Sequence, residues 1–174
     1  MLKLLVSFLA ALSILSGPDK LEISGIPIEG SLYEFSARLE NSGMQVINAD
    51  FEDGGAIFLG EFYGFEGCSV AVKQGADGNV GSVTVMVSPK KKGVQTIIND
   101  VYLPLKQKLT EEYGDPAACI EDFSGKEKDI RARLKAGRGA TTEFVTSSGT
   151  VVLTAAYDLL VGGYFAVVVY TVSE

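Results

Sequence analysis

The sequence predicts an α+β protein of two tandem units, each one helix followed by about four antiparallel strands, with the helices packed on one face of the sheet. Three observations carry that expectation. Apolar residues recur at helical spacing in two stretches, Leu32 to Leu39 and Ile97 to Leu109, and each stretch ends at a glycine. Elsewhere the period drops to two, in short runs rich in Val, Ile, Thr and aromatic residues. The order then repeats: Gly43 answers Gly114 as a helix stop, and Gly55-Ala56 answers Gly139-Ala140 at a strand start. The second interval is longer by about the length of Lys126 to Gly137, so the second unit reads as the first with an insertion. The boundaries on this reading are a leader over 1–17, a first unit over 18–92 and a second over 93–174.

Lys20 to Ile28 reads as a short extended lead-in. Ser31 and Glu34 then form an S-x-x-E capping box, in which the hydroxyl accepts from the amide three residues on and the glutamate reaches back to the cap amide. Leu32, Phe35 and Leu39 share one face of this first helix. Met44–Asp50, Gly55–Tyr63, Cys68–Gln74 and Gly81–Ser88 follow as strands, separated by the turn-forming DFEDG, GFEG and GADGN. Cys68, Val70 and Val72 share one face, as do Val83, Val85 and Val87, the pattern of an antiparallel sheet covered on one side.

The central helix spans Thr96 to Pro116, with Ile97, Ile98, Val101, Leu105 and Leu109 forming a continuous apolar face. Pro104 deletes a donor and crowds the preceding turn, at about 3 kcal/mol in a helix interior. The apolar period runs on through it, which predicts one kinked helix rather than two. Gly114 suits the left-handed position after the last turn, and Pro116 cannot continue the helix. Strands are then expected at Ala117–Phe123, Gly139–Thr146, Thr150–Tyr157 and Tyr164–Val172.

The insertion concentrates positive charge: Lys126, Lys128, Arg131, Arg133, Lys135 and Arg138 are six of the 15 basic residues. Asp129, Arg131, Arg133 and Lys135 alternate with Ile130, Ala132, Leu134 and Ala136, which favours a half-buried strand. The alternative is a helix capped by Ser124 and Glu127 and ending at Gly137. As a strand it would set Arg131, Arg133 and Lys135 on one exposed face, which with Arg138 is a candidate patch for an anionic partner.

A chain of 174 residues with 47% hydrophobic and 21% charged residues is globular in composition. Its net charge of −7 argues against non-specific binding to nucleic acid or anionic lipid. Lys3 followed by LLVSFLAALSIL has the layout of a signal peptide, and its apolar run falls short of the roughly 20 residues a spanning helix needs. The expected product is therefore soluble, periplasmic or secreted, with no membrane span in the mature chain. In an oxidising compartment Cys68 and Cys119 make a single disulfide the natural expectation, worth about 4 kcal/mol on the chain-entropy model. The other reading is two separate buried thiols.

Histidine is absent, which excludes Ser-His-Asp and Cys-His catalysis and His-containing metal sites. GADGN lacks the Lys and Ser/Thr of a phosphate-cradling loop and reads as a hairpin turn. Asp50, Glu52 and Asp53 lack the spacing of a calcium loop. Glu121 and Asp122 are neighbours in a strand and point to opposite faces, so they are not an acid and base pair. Phe58, Phe62, Tyr63 and Phe65, with Tyr157, Tyr164, Phe165 and Tyr170, are expected to be core; on an exposed sheet face they would form a binding platform. No catalytic residue, cofactor or metal ligand is expected. The functional expectation is a binding or interaction module for a protein or carbohydrate partner; the alternative is a carboxylate-dependent envelope hydrolase, for example one acting on carbohydrate.

The signal peptide, GIPIEGSLYEF at Gly25–Phe35, EEYGDP at Glu111–Pro116 and KAGRGATTEFVTSSGTVVL at Lys135–Leu153 resemble a group of small, uncharacterised exported proteins of Gram-negative gut anaerobes. These motifs are caps, turns and strands, and they import no mechanism. At the level of architecture, the tandem helix-plus-four-strand order is similar to β-lactamase-inhibitor protein, a secreted protein-binding module. That similarity implies a binding role and supplies no contact residue here.

Overall fold

Period-two patterning dominates the chain, and its product is one antiparallel sheet of eight strands, seen in a computed structural model that describes residues 20–158 and 162–173. The stretch read as a signal peptide lies outside the described residues. The protein is α+β. A small hairpin of β1 (Glu22–Ile23) and β2 (Ile26–Pro27) comes first, then α1 (Leu32–Asn41), β3 (Gln45–Asp50), β4 (Gly55–Phe62), β5 (Phe65–Gln74) and β6 (Val80–Val87). Next α2 (Val94–Thr96) runs through a π-helical turn, Ile97–Tyr102, into α3 (Leu103–Tyr113). The chain closes with β7 (Ala118–Glu121), α4 (Glu127–Lys135), β8 (Ala140–Thr146), β9 (Gly149–Asp158) and β10 (Gly163–Val172). The strand order is β3-β4-β5-β6-β10-β9-β8-β7.

Every strand expected outside the insertion forms. Alternation does what it should: Val70, Val72, Val83, Val85, Leu153 and Val168 are buried, and the residues between them are half-buried or exposed. The buried residues of the helices, Phe35, Leu39, Val101, Leu105 and Leu109 among them, join these strand residues in one hydrophobic cluster. Helix α1 packs on β4 and β5, α3 on β8 and α4 on β9. The Ser31–Glu34 capping box is present in both directions, as its spacing predicts. The lead-in, expected as merely extended, folds back at Ser24 and Gly25, both at positive φ as a type I′ hairpin turn requires. Tyr113 fastens this hairpin: its hydroxyl accepts from the Glu22 amide at 3.2 Å and donates to the Glu22 carbonyl at 2.8 Å.

Around Pro104 the helix widens instead of breaking. The Leu103 amide reaches back to Ile98 across an i→i+5 turn, and Pro104 falls in the first turn of α3, where its missing donor is not needed. The apolar face survives, with Ile97, Ile98, Val101, Leu105 and Leu109 all at most 3% exposed.

Two expectations need correction. The insertion is a helix, α4, and not a strand. Ile130 and Leu134 are buried and lie four residues apart, a spacing that satisfies both periods; Ala132 and Ala136, which a strand would have buried with them, are exposed. Acidic Glu127 and Asp129 in its first turn and basic Arg133 and Lys135 in its last complement the helix dipole. Its cap is Lys126, while Ser124 turns back to Asp122. The disulfide also fails: Cys68 and Cys119 are both free. Cys68 is on β5 and Cys119 on the edge strand β7, five strand spacings away in the sheet order. At about 4.8 Å per spacing that is roughly 24 Å, against a Cα separation under about 7 Å for a bridge.

Candidate functional site

The face of the sheet opposite the buried positions is half-buried to exposed along its strands. Register aligns its side chains across the strands. Met86 on β6 lies opposite Ser69 on β5 and Val167 on β10, and Val167 opposite Thr154 on β9. One row along, Thr84 lies between Ala71 and Val169, with Val152 beyond. Ile57, Leu59 and Met86 are each 40% exposed. Between the Phe165–Ala156 pair and the Thr171–Thr150 pair, the open face of β6, β10 and β9 consists only of Val, Thr, Ser, Met, Phe and Ala. Charge begins further out, at Lys73 on β5, Glu143 on β8 and Asp50 on the β3 edge. An uncharged centre with a charged margin is the layout of an interaction surface.

The aromatic residues lie mostly on the other side. Phe58, Phe62 and Tyr170 are fully buried, Tyr63, Phe65 and Tyr164 pack partly buried against the core, and Tyr157 and Tyr164 pair edge to face at 4.8 Å. Phe165 alone of the expected aromatics joins the open face by register.

Polar groups cluster where β10, α3 and the β4–β5 turn meet. Tyr63, at φ 49°, donates from its hydroxyl to the Glu112 carboxylate. The hydroxyl of fully buried Tyr170 and Glu112 Oε1 have no hydrogen-bond partner among the described residues. Burial pushes the phenols of Tyr63, Tyr113 and Tyr170 above their ordinary range. They suit cross-bracing of the core more than base chemistry.

The basic residues singled out in the insertion are not brought together as a free patch. Arg131 pairs with Glu127 at 2.7 Å, Arg133 donates to the Asp122 and Ser124 carbonyls and pairs with Asp122 at 3.3 Å, and Lys135 lies over the Tyr157 ring at 4.4 Å. Arg138 is exposed beyond the helix. Of the carboxylates, Glu121 pairs with Lys106 at 2.8 Å, and the Ser124 hydroxyl and amide hold Asp122 below the usual carboxylate range. Asp50 accepts the Asp53 amide at 3.0 Å as part of its turn. Among the described residues, no group of three or more Asp, Glu or Cys side chains is placed to hold a metal ion, and no helix is long and apolar enough to cross a membrane.

The sequence offered an exposed sheet face only as an aromatic platform; the open face is instead built of the aliphatic and Thr residues at the alternate positions of the expected strands. Compared with protein-family models, curated proteins and solved structures, the chain matches none.

Proposed function

We propose that the protein is an exported binding module that docks a folded protein on the open face of its sheet. The observation that carries this reading is the uncharged, aliphatic and threonine-rich centre of that face, rimmed by Asp50, Lys73 and Glu143. Eight strands at about 4.8 Å span roughly 34 Å, and the registered rows run about 20 Å along them, an area of about 700 Å². A standard interface buries about 800 Å² per partner. A sugar would be better served by exposed aromatic rings, and here those rings are mostly internal.

The reading extends to architecture. β3 to β6 form one run of neighbouring strands and β7 to β10 another, meeting where β6 pairs with β10. This order supports two helix-plus-four-strand units with the helices on the covered face, leaving the other face free for a partner. The likeness to β-lactamase-inhibitor protein is part of the same proposal.

A photo-crosslinking amino acid at Met86 or Val167 should give a discrete protein adduct in cells, and one at exposed Lys128 should not. Met86→Arg should remove the adduct made from Val167 with little change in thermal stability. Equal adducts from all three positions, or none from the open face, would sink the proposal.

A further inference from the structure

We infer that a second site, independent of the open face, takes a small zwitterion carrying an apolar group, the chemistry of a free apolar amino acid or a short apolar peptide. The site is a cavity of about 340 Å³ between the start of β5, the loop after β6 and the π-helical turn. Ligand pockets run from about 300 to 1,000 Å³, so this one suits a molecule at the small end.

The turn itself builds one wall. In an i→i+5 turn the residues four and five positions on lie over residue i, which brings Asp100 and Val101 together beneath Thr96. The loop carrying Ser88, Pro89, Lys90 and Lys91 also lines the cavity, and Phe65 adds a second apolar side chain to Val101. Opposite charges thus line one cavity together with apolar groups.

Some of these charges are already engaged and some are not. Lys90 sits 3.8 Å from Glu66, a loose exposed pair. Among the described residues, the side chains of Lys91, Asp100, Thr96 and Ser88 make no hydrogen bond or ion pair. Asp100 offers acceptors to an ammonium, and Thr96, four residues before it, lines the same cavity. Lys91 offers donors to a carboxylate, with Ser88 near it in the loop. Phe65, Val101 and Pro89 supply the apolar contact that would favour an apolar side chain over a polar one.

Titration calorimetry of the mature protein with L-leucine and with leucyl-leucine tests the proposal and separates free amino acid from peptide. Saturable heat is expected with at least one of them. N-acetyl-leucine, which lacks the ammonium, and leucinamide, which lacks the carboxylate, should each bind at least about tenfold more weakly, since charge-assisted hydrogen bonds are lost. Asp100→Asn should abolish the discrimination against N-acetyl-leucine, and Lys91→Met the discrimination against leucinamide, with the melting temperature unchanged in both. The proposal is overturned by no heat from either probe up to about 10 mM. Binding that both variants leave intact would overturn it equally. Loss of open-face crosslinking would not touch this result, and neither outcome here bears on docking.

Discussion

Both faces of the sheet carry aliphatic residues, mixed mainly on the open side with Thr and Ser, and their aliphatic positions behave differently. On β6, Val85 and Val87 are at most 1% exposed while Met86 between them is 40% exposed. On β10, Val168 is fully buried while Val167 and Val169 are half-buried. Hydrophobicity alone does not separate these positions. What separates them is whether side chains from α1, the π turn, α3 and α4 pack over them in the shared cluster. The buried side holds the residues that join the helices in one cluster, and the other side lacks such packing.

The two cysteines provide the largest test of that contrast. Cys68 is buried on the covered face, donates to the Phe65 carbonyl at 3.1 Å, and burial pushes its thiol up to about 11. Cys119 is exposed at the β7 edge, where coverage ends, and its sulfur accepts from Lys106 at 3.3 Å. Under native conditions iodoacetamide should label Cys119 promptly and Cys68 more than about a thousandfold more slowly, because Cys68 reacts only through unfolding. Equal rates would mean the cover over β5 is loose.

Next in size is a pair of neighbouring truncations on β4. Phe58→Ala removes a fully buried ring and should cost about 3–5 kcal/mol in urea unfolding. Leu59→Ala, one residue along on the open face, should cost about 1 kcal/mol or less. Similar losses at both positions would break the comparison.

A smaller effect is expected inside the cover. The hydroxyls of Tyr102 and Thr142 are 2.7 Å apart in a buried site joining the helix to β8. Tyr102→Phe should cost about 1–2 kcal/mol by leaving Thr142 short of its partner, and adding Thr142→Val should recover part of the loss. No recovery in the double variant would show that the hydroxyl pair is not the source of the cost.

The smallest effect concerns the cap of α1, which packs over β4 and β5. The amide and hydroxyl of Ser31 hold the Glu34 carboxyl below its ordinary value of 4.5. A depressed carboxyl contributes stability above its unfolded pKa and loses it as pH falls through the folded one. Stability should therefore decline below about pH 4.5 as that contribution is lost, and Ser31→Ala should flatten the decline. A slope unchanged in the variant would detach the cap from the acid response.

Local chemistry was enough to read α1, its capping box, the stop at Gly114 and the eight strands, because propensity, period and turn residues act within a few positions. It was not enough for α4, where Ile130 and Leu134 fit either period and only packing against β9 chose the helix. The type I′ turn of the first hairpin had a signal in Ser24-Gly25, but the Tyr113 clamp that holds it joins residues far apart in the chain. The cysteine pairing depended on strand order, which no alternation encodes. The open face is the same case: the sequence determined that Val167 and Val169 face away from Val168, since side chains alternate along a strand. Only tertiary structure decided which of the two sides the helices would pack against, because covering one face of a sheet is a choice made by distant segments of chain.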